Sequence, residues 1–240
     1  MTKLSVNINK VATLRNSRGG NMPNVLQAAI DVQKFGGDGV TIHPRPDERH
    51  ITRQDAYDIK NVIKTEYNIE GYPSADFLAL VKEIRPHQVT LVPDPPEAIT
   101  SNAGWDTKTH TEFLSDVIGQ LKEVGIRTSI FVGTELEHIE YAVKTDTDRI
   151  ELYTEPYAIN YENDRDAAIA PFVEAANLAN KLGLKVNAGH DLSLENLKFF
   201  SENIPFLKEV SIGHALISDA LYLGLEKTVQ LYKEQLVKVK

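Results

Sequence analysis

Residues 39–43 read GVTIH, and residues 44–52 continue PRPDERHIT. Val40, Thr41 and Ile42 form a short β-branched run, too short for a helix and suited to a buried strand. The run stops at His43. Arg45, Arg49 and His50 follow, with Pro44 and Pro46 interleaved. At Thr52 the pattern changes again. Threonine is a good N-cap, and TRQDAYDIKNVIKTE (52–66) keeps apolar residues at helical spacing. The segment reads as strand, loop, helix, with ionisable groups gathered where the strand becomes loop.

The same unit recurs along the chain. Apolar runs lie at LSVNI (4–8), GVTIH (39–43), YNIEG (67–71), QVTLV (88–92), RTSIFV (127–132), RIELY (149–153), LKVNA (184–188) and EVSIG (209–213). Their compactness is that of strands buried on both faces. Helical patterns separate them. PNVLQAAIDVQKFGG runs to a Gly-Gly stop, SADFLALVKEIRP starts on Ser74 and halts at Pro86, and HALISDALYLGLEKTVQLYKEQL closes the series. Pro171, inside RDAAIAPFVEAANLANKLG, should end or kink its helix.

Eight such units in 240 residues predict an α/β fold, a (β/α)8 TIM barrel with additional short helices, as one domain over 1–240. A doubly wound open sheet is the structural alternative. The segment after the first strand, NINKVATLRNSRGG, lacks the glycine-rich phosphate loop such a sheet usually carries. The longest irregular stretch is 93–107, and a loop of that length in a compact domain is usually functional.

Composition narrows the chemistry. The net charge of -8 argues against a nucleic-acid partner. With no cysteine, there is no disulfide, no thiolate nucleophile and no cysteine-ligated metal. No run approaches the roughly 20 apolar residues of a membrane span. The first residues do not resemble a signal peptide, so a cytoplasmic location is expected.

In a barrel, the C-terminal strand ends face the active site. Those ends carry Asn7 and Asn9 with Lys10, Arg18 beyond them, then His43, Arg45 and His50, then Glu70. Thr100 and Ser101 follow strand four. Glu151 is on strand six, His190 and Asp191 follow strand seven, and Gly213 with His214 ends strand eight. A carboxylate such as Glu70, between Ile69 and Gly71, is costly in an apolar strand unless paired or functional. His87, His110 and His138 read as solvated and on the opposite side. No H-x-H or H-E-x-x-H spacing supports a metal, and the arginines beside the histidines favour an anion. SIGHALI at 211–217 places a glycine at a strand–helix junction, where backbone N–H groups and the helix dipole attract phosphate.

VNINKVATLRNSRGG, GVTIHPRPDERHI, LVPD, KVNAGHDL and SIGHALI, in this order and spacing, resemble the pyridoxine 5'-phosphate synthase family of vitamin B6 biosynthesis over nearly the whole chain. The resemblance implies a transferase-type enzyme, assembled as a homo-octamer and needing no metal or organic cofactor. It condenses 3-amino-2-oxopropyl phosphate with 1-deoxy-D-xylulose 5-phosphate, giving pyridoxine 5'-phosphate, phosphate and water. His43 and Glu70 match proton acceptors, His190 a proton donor, and Glu151 a group stabilising a transition state. Asn7, Arg18, Asp191, Gly213 and His214 match positions that contact the aminoketone phosphate. Asn9, Lys10, Arg45, His50 and Thr100 match positions that contact the deoxyxylulose phosphate. The family commonly has Asp-His where this chain has Asn9-Lys10, and often Gly where it has Asp191. The rival readings are another phosphosugar-handling barrel, an isomerase or aldolase, and a non-catalytic phosphometabolite-binding barrel. Apolar faces such as LYLGLEKTVQLY (221–232) read first as packing on the barrel.

Overall fold

The computed structural model describes residues 1–94 and 103–237. Eight parallel strands close into a barrel in sequence order: β1 (Lys3–Asn7), β2 (Gly39–Ile42), β3 (Glu66–Gly71), β4 (Gln88–Leu91), β5 (Arg127–Val132), β6 (Arg149–Tyr153), β7 (Lys185–Gly189) and β8 (Leu207–Ile212), with β8 returning to β1. Each predicted run is a strand, displaced by at most two residues at an end.

The strands alternate strictly, and the alternation explains the architecture. Leu4, Val6, Val40, Ile42, Ile69, Val89, Leu91, Ile130, Ile150, Val186, Val210 and Ile212 belong to one buried apolar cluster shared with the helices. Burying each is worth about 1.5–3 kcal/mol. The intervening residues face the lumen, and most of them are polar, with Phe131 and Tyr153 the apolar exceptions. Ser211 Oγ on β8 donates to Glu70 Oε1 on β3 at 3.3 Å, a bond between non-adjacent strands that has to cross the interior. Lower down, Thr90 Oγ1 donates to Asn68 Oδ1 at 3.1 Å, and Arg149 Nη1 donates to Asn187 Oδ1 at 3.1 Å. Both faces are buried, as the runs imply, but the outer one is largely apolar and the inner one mostly polar.

The helices follow the caps. α3 (Arg53–Val62) has a complete capping box: Thr52 Oγ1 accepts from Asp55 N, and Asp55 Oδ2 accepts from Thr52 N. Ser74 caps α4 (Ala75–Ile84) through Phe77 N, and Asn24 caps α2 (Val25–Lys34) through Gln27 N. α5 (Thr111–Glu123), α6 (Leu136–Lys144) and α9 (Leu197–Asn203) fall where the pattern puts them. Two short helices escape it: α1 (Asn9–Asn16), directly after β1, and α7 (Glu155–Asn160).

Pro171 does not end its helix. α8 runs unbroken from Arg165 to Lys181. The proline and Ala167, whose carbonyl loses its donor, are both exposed, so water can take the missing bond. The closing segment is two helices, α10 (His214–Leu223) and α11 (Leu225–Gln235), parted at Gly224 with φ +80°. Leu221, Tyr222 and Leu223 at the end of α10 are exposed rather than packed on the barrel, while Val229 and Tyr232 of α11 are buried.

Candidate active site

The C-terminal mouth of the barrel holds a cavity of about 560 Å³. Every site residue named from the sequence lines it, with three exceptions. Thr100 lies outside the described residues, as does Ser101. Arg18 is exposed, past the end of α1, and is not part of the cavity wall.

His43 ends β2 and is buried. Its backbone N–H donates to Asn9 Oδ1 at 3.0 Å, and Asn9 N in turn donates to Asn7 Oδ1 at 3.0 Å. The first turn of α1 thus ties strand ends one and two together. Burial, and then the charges of Arg45, His50 and His190, push the His43 imidazolium well down, so the ring is neutral at pH 7. His50 is neutral for the same leading reason. Burial, then Arg45 and Lys10, take it down to about 4. Its geometry agrees, because His50 Nδ1 accepts from Ile51 N at 2.9 Å, which leaves the proton on Nε2.

The carboxylates go the other way. Glu70 accepts from Ser211 Oγ at 3.3 Å and from Asn7 Nδ2 at 3.4 Å, yet burial raises it to about 7. Glu151 is pushed well above the carboxylate range, by burial first and by Glu70 second. One Glu151 oxygen, Oε2, is buried with no hydrogen-bond partner among the described residues. A pair of carboxyls in one low-dielectric cavity cannot both ionise easily, so the site holds a proton between them at neutral pH. Val92, Phe131 and Tyr153 form a small apolar cluster beside them, with the Phe131 and Tyr153 rings 5.3 Å apart. Gly189 is demanded by close packing: a Cβ there would run into the Ser211 carbonyl oxygen of β8 and stand 2.8 Å from Glu151 Oε1.

His190 is the histidine shifted toward its charged form. Burial pulls it down, but a hydrogen bond to Asp191 and the charges of Asp191, Glu70 and Asp94 outweigh that, and the net shift is upward. Arg45 is buried and pairs with Asp94 at 2.6 Å between side chains that are both 4% exposed. Gly213 caps α10 without a side chain, so the helix N-terminus opens toward the cavity beside His214.

Several contributors escape a reading of strand ends. Ser211 and Asp94 are two. Arg15 is another: it binds Asp55 through Nη1 at 2.6 Å and Nη2 at 2.8 Å, and donates to His50 O at 3.1 Å. The period-two pattern of β8 signals Ser211, but nothing local signals the contact between Arg15 and Asp55. The other histidines lie outside the cavity. His87 precedes β4 on the far side, as read, and accepts from Tyr67 N through Nδ1. His110 and His138 stand instead at the N-terminal ends of α5 and α6, on the same side as the cavity. His110 lies against Trp105 and His138 beside Asp106. Among the described residues no cluster of three or more ligating side chains is placed to hold a metal ion. No helix there is long and apolar enough to cross a membrane.

The barrel and its mouth define a class first: a (β/α)8 enzyme fold with acid–base groups sunk beneath a cationic rim, suited to small anionic molecules. Solved structures share the fold. The 3-keto-L-gulonate-6-phosphate decarboxylase of Vibrio cholerae superposes with a TM-score of 0.66 at 11% identity, covering 98% of this chain and 97% of that one. The phosphoribosyl anthranilate isomerase of Thermus thermophilus gives 0.61 at 13% identity, covering 98% of each chain. Sequence is more specific. Residues 4–238 match the family described as pyridoxal phosphate biosynthesis protein PdxJ, and the chain belongs to that family. Its relatives include proteins named pyridoxine 5'-phosphate synthase. That of Bacteroides thetaiotaomicron is 65% identical over 97% of this chain and 98% of its own length. That of Parabacteroides distasonis is 66% identical, with the same coverage.

Proposed function

We propose that the chain catalyses the pyridoxine 5'-phosphate synthase reaction, joining 3-amino-2-oxopropyl phosphate to 1-deoxy-D-xylulose 5-phosphate and releasing phosphate and water. The observation that carries this reading is one cavity holding His43, Glu70, Glu151 and His190 in differing protonation states. It stands with family membership over nearly the whole chain.

The chemistry asks for such a set. The substrate's own amine attacks the ketone of its partner, and the resulting carbinolamine loses water to give an imine. Enamine formation and loss of a sugar hydroxyl as water follow. Phosphate then leaves, with water taken up at the vacated carbon. An aldol-type closure onto the remaining ketone comes last, and its hydroxyl leaves as water to make the ring aromatic. Each step needs a proton placed or removed. Neutral His43 and a Glu70 poised near neutrality accept protons from carbon and nitrogen. His190, shifted toward its protonated form by Asp191, donates to departing oxygens. Glu151, protonated in its apolar corner, donates a hydrogen bond to charge that develops beside it. Each well-placed acid or base contributes about 10²–10⁴-fold. Arg45, His50, Asn9 and Lys10 hold one phosphorylated substrate. Asn7, Gly213 and His214 hold the other at the start of α10, and Arg18 is assigned to it by position. Thr100 belongs to the first set on the same ground.

The proposal extends to the molecule: one barrel domain over residues 1–240, working in the cytoplasm as a homo-octamer. The exposed Leu221, Tyr222 and Leu223 support a contact between copies. The test is direct. Purified protein is mixed with both substrates, and product absorbance and phosphate release are followed together. Stoichiometric appearance of the two supports the reaction. Phosphate binding without product refutes it.

A further inference from the structure

We propose that Asp191 is a positioning residue for His190, gripping the imidazole so that its donor nitrogen faces the reacting substrates, and is not itself a contact to substrate phosphate. The inference rests on the reaction proposed above.

The geometry is a dyad between neighbours in sequence. His190 Nδ1 and Asp191 Oδ2 are 2.7 Å apart. Adjacent side chains rarely meet in this way, and here the backbone allows it, because His190 has φ +95°, in the region that favours glycine. Such a conformation persists only when the surroundings over-determine it, and they do. His190 N donates to Ser211 O on β8 at 3.2 Å. Asp191 N donates to Thr154 Oγ1 at 3.1 Å, and that hydroxyl donates to Gly189 O at 2.7 Å. Asn196 Nδ2 donates to Asp191 O at 3.3 Å. Strands β6, β7 and β8 and the start of α9 therefore hold both residues.

Two facts separate this role from phosphate contact. The backbone N–H at 191, the group a glycine there would offer to an anion, is engaged by Thr154. The carboxylate would also repel a phosphate at close range. Held against Nδ1, the same carboxylate orients the ring, turns Nε2 to the cavity and favours the charged form. The other groups facing His190 include, among the described residues, Glu70 from β3, Asp94 beyond β4, His43 just after β2 and the Tyr153 ring of β6, 5.8 Å away. Glu70 changes charge in the neutral range, so Asp191 steadies the donor while its neighbour cycles.

Asp191→Asn is the informative variant, since an amide keeps the size and loses the charge. Asp191→Gly guards against misfolding, because glycine suits the turn. The histidine signals of wild type and variants are followed by NMR against pH. His190 should titrate at lower pH in both variants. In turnover, kcat should fall about tenfold on the alkaline side and less than about twofold on the acid side, with KM for the aminoketone phosphate within about twofold. An unmoved His190 titration overturns the proposal. So does a raised KM with kcat intact, which would make Asp191 a substrate contact. A wild-type protein that makes no product refutes the reaction, while the NMR titration still decides the dyad.

Discussion

Glu70 shows how one side chain trades stability for chemistry. Its folded value, about 7, lies above its ordinary 4.5, so the folded state takes up the proton more readily than the unfolded chain does. Its contribution is therefore fully favourable below about pH 4.5 and is lost as pH rises through about 7. Glu70→Gln removes that loss. At pH 8 the variant should be more stable than wild type by roughly 1–3 kcal/mol in urea denaturation, and indistinguishable near pH 4. Product formation should fall about 10²–10⁴-fold with phosphate binding retained. Equal stability at pH 8 would mean that Glu70 is not desolvated in solution. The place of Glu70 in the cavity is legible from YNIEG, since a lone carboxylate among apolar strand residues has to be paired or used. Its protonation is not, because that depends on Ser211, His190 and Asp94 from distant parts of the chain.

Individual strands and helices carry the next level of control. β7 ends in Gly189 because a methyl group there would run into the Ser211 carbonyl oxygen of β8 first and Glu151 Oε1 second. Gly189→Ala should lower kcat at least about tenfold and cost about 1–3 kcal/mol, read as a kinetic and a thermal-melting difference from wild type. An alanine variant of full activity would show that β7 and β8 can part enough to admit the methyl group without displacing Glu151. α8 makes the opposite kind of prediction. Pro171 sits exposed in the middle of the helix and forfeits a backbone hydrogen bond. Pro171→Ala should raise stability by about 1 kcal/mol, a few degrees in Tm, without touching activity. A lower Tm would mean that the proline's effect on the unfolded chain dominates. The sequence signals a break here because proline removes one bond. The helix survives because its buried face, with Ile169, Phe172, Ala175, Ala176 and Ala179, is continuous across the gap.

Across the molecule, the barrel separates its two jobs by face. Apolar side chains point out to the helices and bind the fold. Polar ones point into the lumen, and those at its upper end become the site. The exposed apolar end of α10 lies outside both roles. Tyr222→Glu should shift the mass seen by light scattering toward smaller species, and an unchanged mass would remove that face from the assembly.

Strand and helix identity, the caps at Thr52 and Ser74, and the inward direction of Glu70, Glu151 and Ser211 all follow from short-range pattern. Hydrogen bonds within a turn and the period of side chains along a strand act over a few residues, so a linear string contains them. The family, too, was readable from ordered motifs. Barrel closure supplied the rest. It brought β3 opposite β8, set Arg15 on Asp55, and left Arg18 outside the cavity. It also decided which acid holds a proton. Desolvation and Coulomb energies depend on neighbours in space, and no local pattern along 240 residues lists those neighbours.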